Sequence, residues 1–389
     1  MIRCWIPGFA RPSKGELRYG DAQVITDGKY HLVIDGGCDK GTDVLISYLK
    51  RNKMNNVYLA ISHAHYDHWY GTKKIIEDDY FTVKGLYCYD PKTLESGLRN
   101  NKGSIEVKSD IVAMTNVINE AKNKNIKVTY VKHGSKINLG DIKINVYRKQ
   151  PSYVTNEDTE GWMYINDGSL CFYFPQLYYW TSGDGSAKIW DFIKSLNIKV
   201  KFFKIPHHGN NCSESQAKGL MNHGAIYCWY NDLEANGVGT NDFTLYGARR
   251  CKQAGIHVFE CIGDINFICK NGYLTIYKGG KKYSFTIPYK GESSLKNPSV
   301  DIIRKVFEGK YNNGDYRTTR VIDAGYYPLV VQQKVDLVVS VAQQIITGTL
   351  NFGKHKERIN NLDKKYGKGY GQLIQDEIES LMNSKAKKW

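Results

Sequence analysis

The sequence predicts an α/β protein that ends in a helical region, and three observations carry that prediction. Residues 21–77 alternate strand-like and helix-like segments around a ligand-rich loop. Segments of β character, separated by Gly, Asn and Asp, continue to about residue 288. Beyond residue 299 the apolar spacing becomes helical, and part of it recurs.

The elements follow in order. Residues 21–26 and 30–35 read as strands joined by the turn Asp27-Gly28-Lys29. Asp35-Gly36-Gly37 ends the second strand where glycine permits a sharp turn. Asp39 or Thr42 then caps a helix with Val44, Leu45, Tyr48 and Leu49 on one face. A buried strand at 57–61, a loop at 62–68 and a helix from about 71 to 77 complete the first third. Further strands are expected at 81–87, 128–131, 143–147, 170–174, 178–181, 201–205, 225–230 and 256–261, and helices at 111–123 and 245–254. Residues 274–277 and 283–287 form a closing hairpin.

The loop Ser62-His63-Ala64-His65-Tyr66-Asp67-His68 places three imidazoles and one carboxylate within six residues. Alternate side chains of an extended loop point the same way, so His63 and His65 can grip one cation. Asp67 and His68 stand one step further on and can face a second. Such residues suit divalent metals with an open coordination position.

At 389 residues the chain is long enough for two or three domains, and 41% hydrophobic content supports a core rather than disorder. The formal charge of +15 fits an anionic partner such as nucleic acid, teichoic acid or another phosphate polymer, and equally a Lys-rich composition. Nine scattered cysteines without a CxxC pair do not make a disulfide framework. Cys38, Cys88, Cys171, Cys228 and Cys269 are expected in the core of a protein made in a reducing cytoplasm. Residues 1–7 lack the pattern of a signal peptide, and no apolar run reaches membrane-spanning length.

Gly20-Asp21-Ala22, Ile34-Asp35-Gly36-Gly37 and the His-Ala-His-Tyr-Asp-His loop together resemble the metallo-β-lactamase fold superfamily. Within it, residues 1–288 most resemble the hydrolase domain of the DNA-uptake protein ComEC and its soluble relatives. The resemblance implies an αββα sandwich with a dinuclear site holding two divalent ions, Zn first and Mn as the alternative. It implies that His63, His65, Asp67 and His68 are ligands and that Asp184, in Ser182-Gly183-Asp184-Gly185, is shared between the ions. One of His207 and His208, in Pro206-His207-His208-Gly209, is implied as a further ligand. His207 follows the strand more directly and is preferred; His208 then faces substrate or leaving group, with the reverse assignment open. Asp67 also orients the attacking water. Tyr66, Trp69, Asn210 and Ser213 are the expected substrate contacts.

Two departures stand out. Gly239-Thr240-Asn241-Asp242 replaces a Gly-His-Pro-like element of the relatives, which points to a different specificity. A histidine that many members place before the shared Asp has only His133 as a counterpart; otherwise water or an oxygen of Asn156, Glu157 or Asp158 completes the first site.

Residues 289–298 have linker composition. Ile302, Ile303, Val306 and Phe307 then share a helical face that ends at Gly309. With Lys310 to Arg317, Ala324-Gly325-Tyr326-Tyr327 and Val331-Gln332-Gln333-Lys334-Val335, residues 299–340 resemble the CW-seven cell-wall-binding repeat of phage lysins. That family implies a small three-helix bundle that binds peptidoglycan muropeptides, with Asn313, Arg317 and Gln332 as candidate contacts. Gly309 and Gly314 recur 39 residues on, and Val331 and Val335 recur as Ile374 and Ile378, so residues 341–389 form a second copy. It is degenerate, since Lys356 stands for Arg317 and does not reproduce a bidentate contact.

The combined expectation is a metal-dependent hydrolase delivered to the bacterial cell wall, phage- or prophage-encoded, cutting a phosphodiester of teichoic acid or a related wall polymer. A nuclease or nucleotide phosphodiesterase is the alternative, followed by a peptidoglycan amide hydrolase or β-lactamase-like enzyme.

Overall fold

The computed structural model describes residues 1–7, 20–155, 161–185, 193, 195–196, 198–222, 224–231, 246–260, 264–270, 273–278, 281–286, 298–310 and 328–386. Two compact units emerge, Met1–Lys290 and Gly291–Trp389.

In the first unit two mixed sheets lie face to face with helices outside. The first sheet contains β1 (Ile2–Ile6), β2 (Ala22–Thr26), β3 (His31–Gly36), β4 (Asn56–Ala60), β5 (Thr82–Cys88) and β6 (Val128–Tyr130). Chain order continues in the second sheet with β7 (Lys136–Leu139), β8 (Ile142–Arg148), β9 (Leu170–Phe174), β10 (Tyr179–Thr181), β11 (Phe202–Lys204), β12 (Tyr227–Tyr230) and β13 (His257–Glu260). Finally, β14 (Ile265–Lys270), β15 (Tyr273–Lys278) and β16 (Lys281–Thr286) return to the first sheet, whose order is β16-β15-β14-β1-β2-β3-β4-β5-β6. The second runs β13-β12-β11-β10-β9-β8-β7. The stretches β3 to β6 and β10 to β13 are parallel. Every strand in them therefore delivers its carboxyl end to the same edge of its sheet, which is where α/β sheets bind ligands.

The sheets meet through aromatic and polar contacts. Phe267 of β14 packs on Tyr179 and Phe202 at ring-centre distances of 4.9 and 4.7 Å. Buried Gln23 donates to Thr181 Oγ1 (3.0 Å) and accepts from the Tyr179 hydroxyl, which in turn accepts from Trp229 Nε1. A buried amide satisfied on both sides fixes the register of one sheet on the other.

Outside the first sheet lie α1 (Asp39–Arg51), α2 (Tyr66–Glu77) and α3 (Lys102–Asn123). Against the second lie α5 (Glu214–Asn222) and α6 (Tyr246–Gln253), after the short α4 (Trp162–Asp167). Two helices begin earlier than the apolar period suggests. α3 starts at Lys102 because the Asn101 side chain accepts from Ser104 N. α2 starts at Tyr66 rather than near Gly71, so Asp67 and His68 stand on its first turn and not in an extended loop. A carboxylate is favourable there because it faces unpaired N–H groups. At α1 no side chain caps the N-terminus; Cys38 occupies the cap position. Cys38, Cys88, Cys171 and Cys228 are buried and form no disulfide among the described residues, whereas the side chain of Cys269 falls outside them.

The second unit holds α7 (Val300–Phe307), α8 (Pro328–Ile346), α9 (His355–Tyr366) and α10 (Tyr370–Ala386). Ile303, Val338, Ala342, Leu362 and Ile374 share one core, which draws on residues both before and after position 340. Asn313, Arg317 and the side chain of Gln332 lie outside the described residues, as do Asn156, Glu157, Asp158 and 239–242.

One contact positions α2. Gly71 lies so close to Gly36 of β3 that a Cβ there would sit 1.9 Å from Gly36 O. In an ordinary helix Gly→Ala gains about 0.5–1 kcal/mol. Here the sign reverses: Gly71→Ala is expected to lose about 1–3 kcal/mol through overpacking, read from urea unfolding.

Candidate metal centre

The carboxyl ends of four parallel strands supply the centre. Asp35 is the penultimate residue of β3, while Ser62 and His63 follow β4, Asp184 follows β10 and His208 follows β11. α2 adds Asp67 and His68, and Asp21 precedes β2. Ligand-type atoms of Asp21, His68, Asp184 and His208 all lie within 4.8 Å of one another, and all four residues are buried. Asp184 Oδ2 stands at the middle, 3.2 Å from His68 Nε2, 3.2 Å from His208 Nε2 and 4.0 Å from His63 Nε2. Asp67 Oδ2 lies 3.0 Å from His208 Nε2 and 3.3 Å from His68 Nε2. On the other side, His63 Nε2 and His65 Nδ1 converge at 3.1 Å.

The backbone is bent to make this possible. Asp35, His207 and His208 have φ of 54°, 51° and 52°, the left-handed region that side chains with a Cβ rarely occupy. Such strain concentrates at functional sites. Gly183 (φ 53°) lets Asp184 turn inward: a Cβ there would meet Ser62 Oγ at 2.5 Å.

Outward-facing atoms fix the inward-facing ones. His68 Nδ1 donates to Asp35 Oδ2 at 2.9 Å, which leaves Nε2 aimed at the cluster. His63 Nδ1 lies 3.0 Å from Ser62 Oγ, which donates to Asp35 Oδ2, so Nε2 again points inward. Asp110 of α3 faces the outer nitrogen of His65, Nε2, at 3.9 Å. Metal-binding histidines are characteristically held this way.

Electrostatics divide the cluster. Burial pushes His63 well below its ordinary range, helped by His68 and His65, and pushes His65 down to about 4 against Asp67 and Asp184. Both rings are neutral and offer lone pairs. Burial opposes charge on His68 and His208 too, but carboxylates overcome it, Asp184 first in each case: His68 rises well above its usual value and His208 to about 10. Asp67 and Asp184 fall well below the carboxylate range because nearby imidazoliums, His68 foremost, outweigh their burial. Burial raises Asp110 to about 7, with Glu106 and Asp67 adding to it.

These residues fit divalent cations. Asp67 Oδ2 and His68 Nε2 are buried and make no hydrogen bond among the described residues, although they lie 3.3 Å apart. Neutral imidazoles on one side, and imidazoles on the other that hold a proton only because carboxylates surround them, are the donor set that such ions occupy.

Of the histidine pair, His208 enters the cluster, and His207, the preferred ligand from sequence, does not. Two successive left-handed residues turn His207 outward onto Trp162, with ring centres 5.3 Å apart. His133 is exposed beside Tyr147, on the turn before β7, outside the cluster. Tyr66 is exposed and donates to Asp39, and its ring packs on Trp69 and Tyr70. Trp69 Nε1 donates to Ala64 O, which ties it to the metal loop. Asn210 is buried just after the pair. Ser213 caps α5, its Oγ accepting from Gln216 N. Asp21, Asp35, Ser62, Asp110 and Lys204 had no assigned role from sequence; a lysine between Phe203 and Ile205 in a strand was the one local signal of a buried charge.

Residues 15–83 match the family model of the metallo-β-lactamase superfamily. The first unit has that fold: a helix-covered pair of mixed sheets with a His/Asp centre at the strand ends. Solved structures similar to the chain include YhfI of Bacillus subtilis, a metallo-β-lactamase-fold protein (11% identity, 73% of this chain and 99% of that one, TM-score 0.40). Another is Igni18, a metallo hydrolase of Ignicoccus hospitalis (16%, 69% and 100%, TM-score 0.38). A third is a diphosphatase of the PhnP family (10%, 59% and 86%, TM-score 0.34). Among curated protein sequences there is no significant match.

Asp35 holds His68 directly and His63 through Ser62. Asp35→Asn, which sets an amide N–H against His68 Nδ1–H, is expected to weaken metal binding about 10–100-fold with unchanged circular dichroism. Competition against a chromophoric chelator measures it.

Proposed function

We propose that the chain is a dinuclear metal-dependent phosphodiesterase acting on teichoic acid or a related anionic polymer of the bacterial cell wall. The observation that carries the reading is Asp184 Oδ2, set between His63 on one side and His68 and His208 on the other. His63, His65 and Asp184 would hold one cation, and Asp67, His68 and His208, with Asp184, a second. When bound, such a pair supplies Lewis acidity toward a phosphoryl oxygen and acidifies water.

The remaining roles belong to the protein. Asp67 stays ionised beside His68 and His208 and can orient an attacking water. His207, kept neutral chiefly by burial, stands at the rim by Trp162 and takes the place facing substrate or leaving group that sequence gave to His208. Tyr66, Trp69 and Asn210 flank the centre, and Ser213 follows it as a helix cap.

A charge of +15 supports a polyanionic substrate. The CW-seven resemblance supports the wall as the place of action, where tethering raises local enzyme concentration. Binding of muropeptides through Asn313, Arg317 and Gln332, and phage or prophage origin, belong to the same reading. The ComEC resemblance favours a second one, a nuclease or nucleotide phosphodiesterase.

Digestion of purified Gram-positive walls, with DNA and a β-lactam in parallel, tests the proposal. Phosphate-bearing wall fragments are the expected product. Muropeptides, nucleotides or an opened lactam as the only product would replace the wall-phosphodiester reading. Chelation should abolish activity and Zn²⁺ or Mn²⁺ restore it. His63→Ala, His65→Ala and Asp184→Ala should each lose more than the about 10–100-fold typical of outer partners.

A further inference from the structure

Lys204, the last residue of β11, is fully buried at the metal centre. Its Nζ donates to Gly183 O at 2.7 Å and to Asp184 Oδ1 at 3.2 Å, and forms an ion pair with Asp21. These three partners match the three protons of an ammonium group. A buried ammonium is tolerated only when paired in this way. Asp21 is engaged on both sides: one oxygen meets Lys204, and the other lies 3.7 Å from His208 Nδ1, the ring nitrogen that faces away from Asp184. One lysine thus links the carboxylate at the middle of the centre to the carboxylate behind His208.

The consequence lies in Asp184. Oδ1 is taken by Lys204, and Oδ2 alone faces His63, His68 and His208. Released from Lys204, the carboxylate could rotate and give both oxygens to one cation, leaving the other short of a ligand. Asp21 would lose its nearest cation and keep only the imidazoles of His208 and His68, at 3.7 and 3.9 Å, to offset its buried charge.

We infer that Lys204, clamped by Asp21, is a positioning residue of the dinuclear centre: it holds Asp184 so that a single oxygen is presented between the two cations, and it offsets the charge of Asp21. The inference rests on the dinuclear reading above.

The test is metal stoichiometry of the full chain, by elemental analysis after dialysis against Zn²⁺ or Mn²⁺ and by calorimetric titration with the same ions. Wild type is expected to hold two equivalents. Lys204→Met is expected to hold one tightly and the second about 10–100-fold more weakly, the range for outer-partner changes at metal sites. Lys204→Met takes from Asp21 its nearest cation and is expected to lower the melting temperature. The double variant Asp21→Asn/Lys204→Met removes that charge and is expected to restore the melt but not the second equivalent, because Asp184 is still unclamped. Two equivalents at wild-type affinity in either folded variant would overturn the positioning role. A wild-type chain that retains fewer than two equivalents would instead overturn the dinuclear reading, and this inference with it.

Discussion

Three buried carboxylates, Asp21, Asp35 and Asp184, converge in the first unit, and the structure around them is organised by the need to balance their charge. None is left alone. Asp35 accepts from Ser62 and His68, Asp184 accepts from Lys204 and pairs with His208, and Asp21 faces Lys204. Uncompensated charge in the interior costs several kcal/mol per ion. The centre therefore needs its histidines, its lysine and its cations together, and the strands are arranged so that all of them arrive at one edge.

Parallel pairing within each sheet is what makes this arrival possible. It aligns the carboxyl ends of β3 and β4 in one sheet and of β10 and β11 in the other. The facing of the sheets, fixed by Gln23, Tyr179 and Trp229, then brings the two edges together. The close approach of α2 to β3 adds the last piece by setting Asp67 and His68 against loops that sequence separation would keep apart. Backbone strain at Asp35, His207 and His208 is borne where this convergence is tightest.

Much of the centre was legible in the order of residues. His63, His65, Asp67 and His68 announce themselves because metal chemistry requires those side chains at close spacing, whereas Asp184 was reached through the resemblance to the metallo-β-lactamase fold superfamily. The choice between His207 and His208 was not legible. Adjacent residues differ in direction only through φ and ψ, and two successive left-handed residues override the expectation from strand geometry. Nor was the start of α2 legible from apolar spacing, since its first turn is made of ligands and aromatics rather than core residues.

Local pattern by itself determined much of the strand and helix succession, though not α4, α5 or β14, and with it the ligand loop, four of the five expected core cysteines and the helical C-terminal region, because each depends on neighbours within a few residues. Only the tertiary structure decided which groups stand behind the ligands. Asp21, Asp35, Asp110 and Lys204 come from four distant points of the chain, and their partnership is a matter of charge and distance in space. Spacing along a sequence carries no record of that.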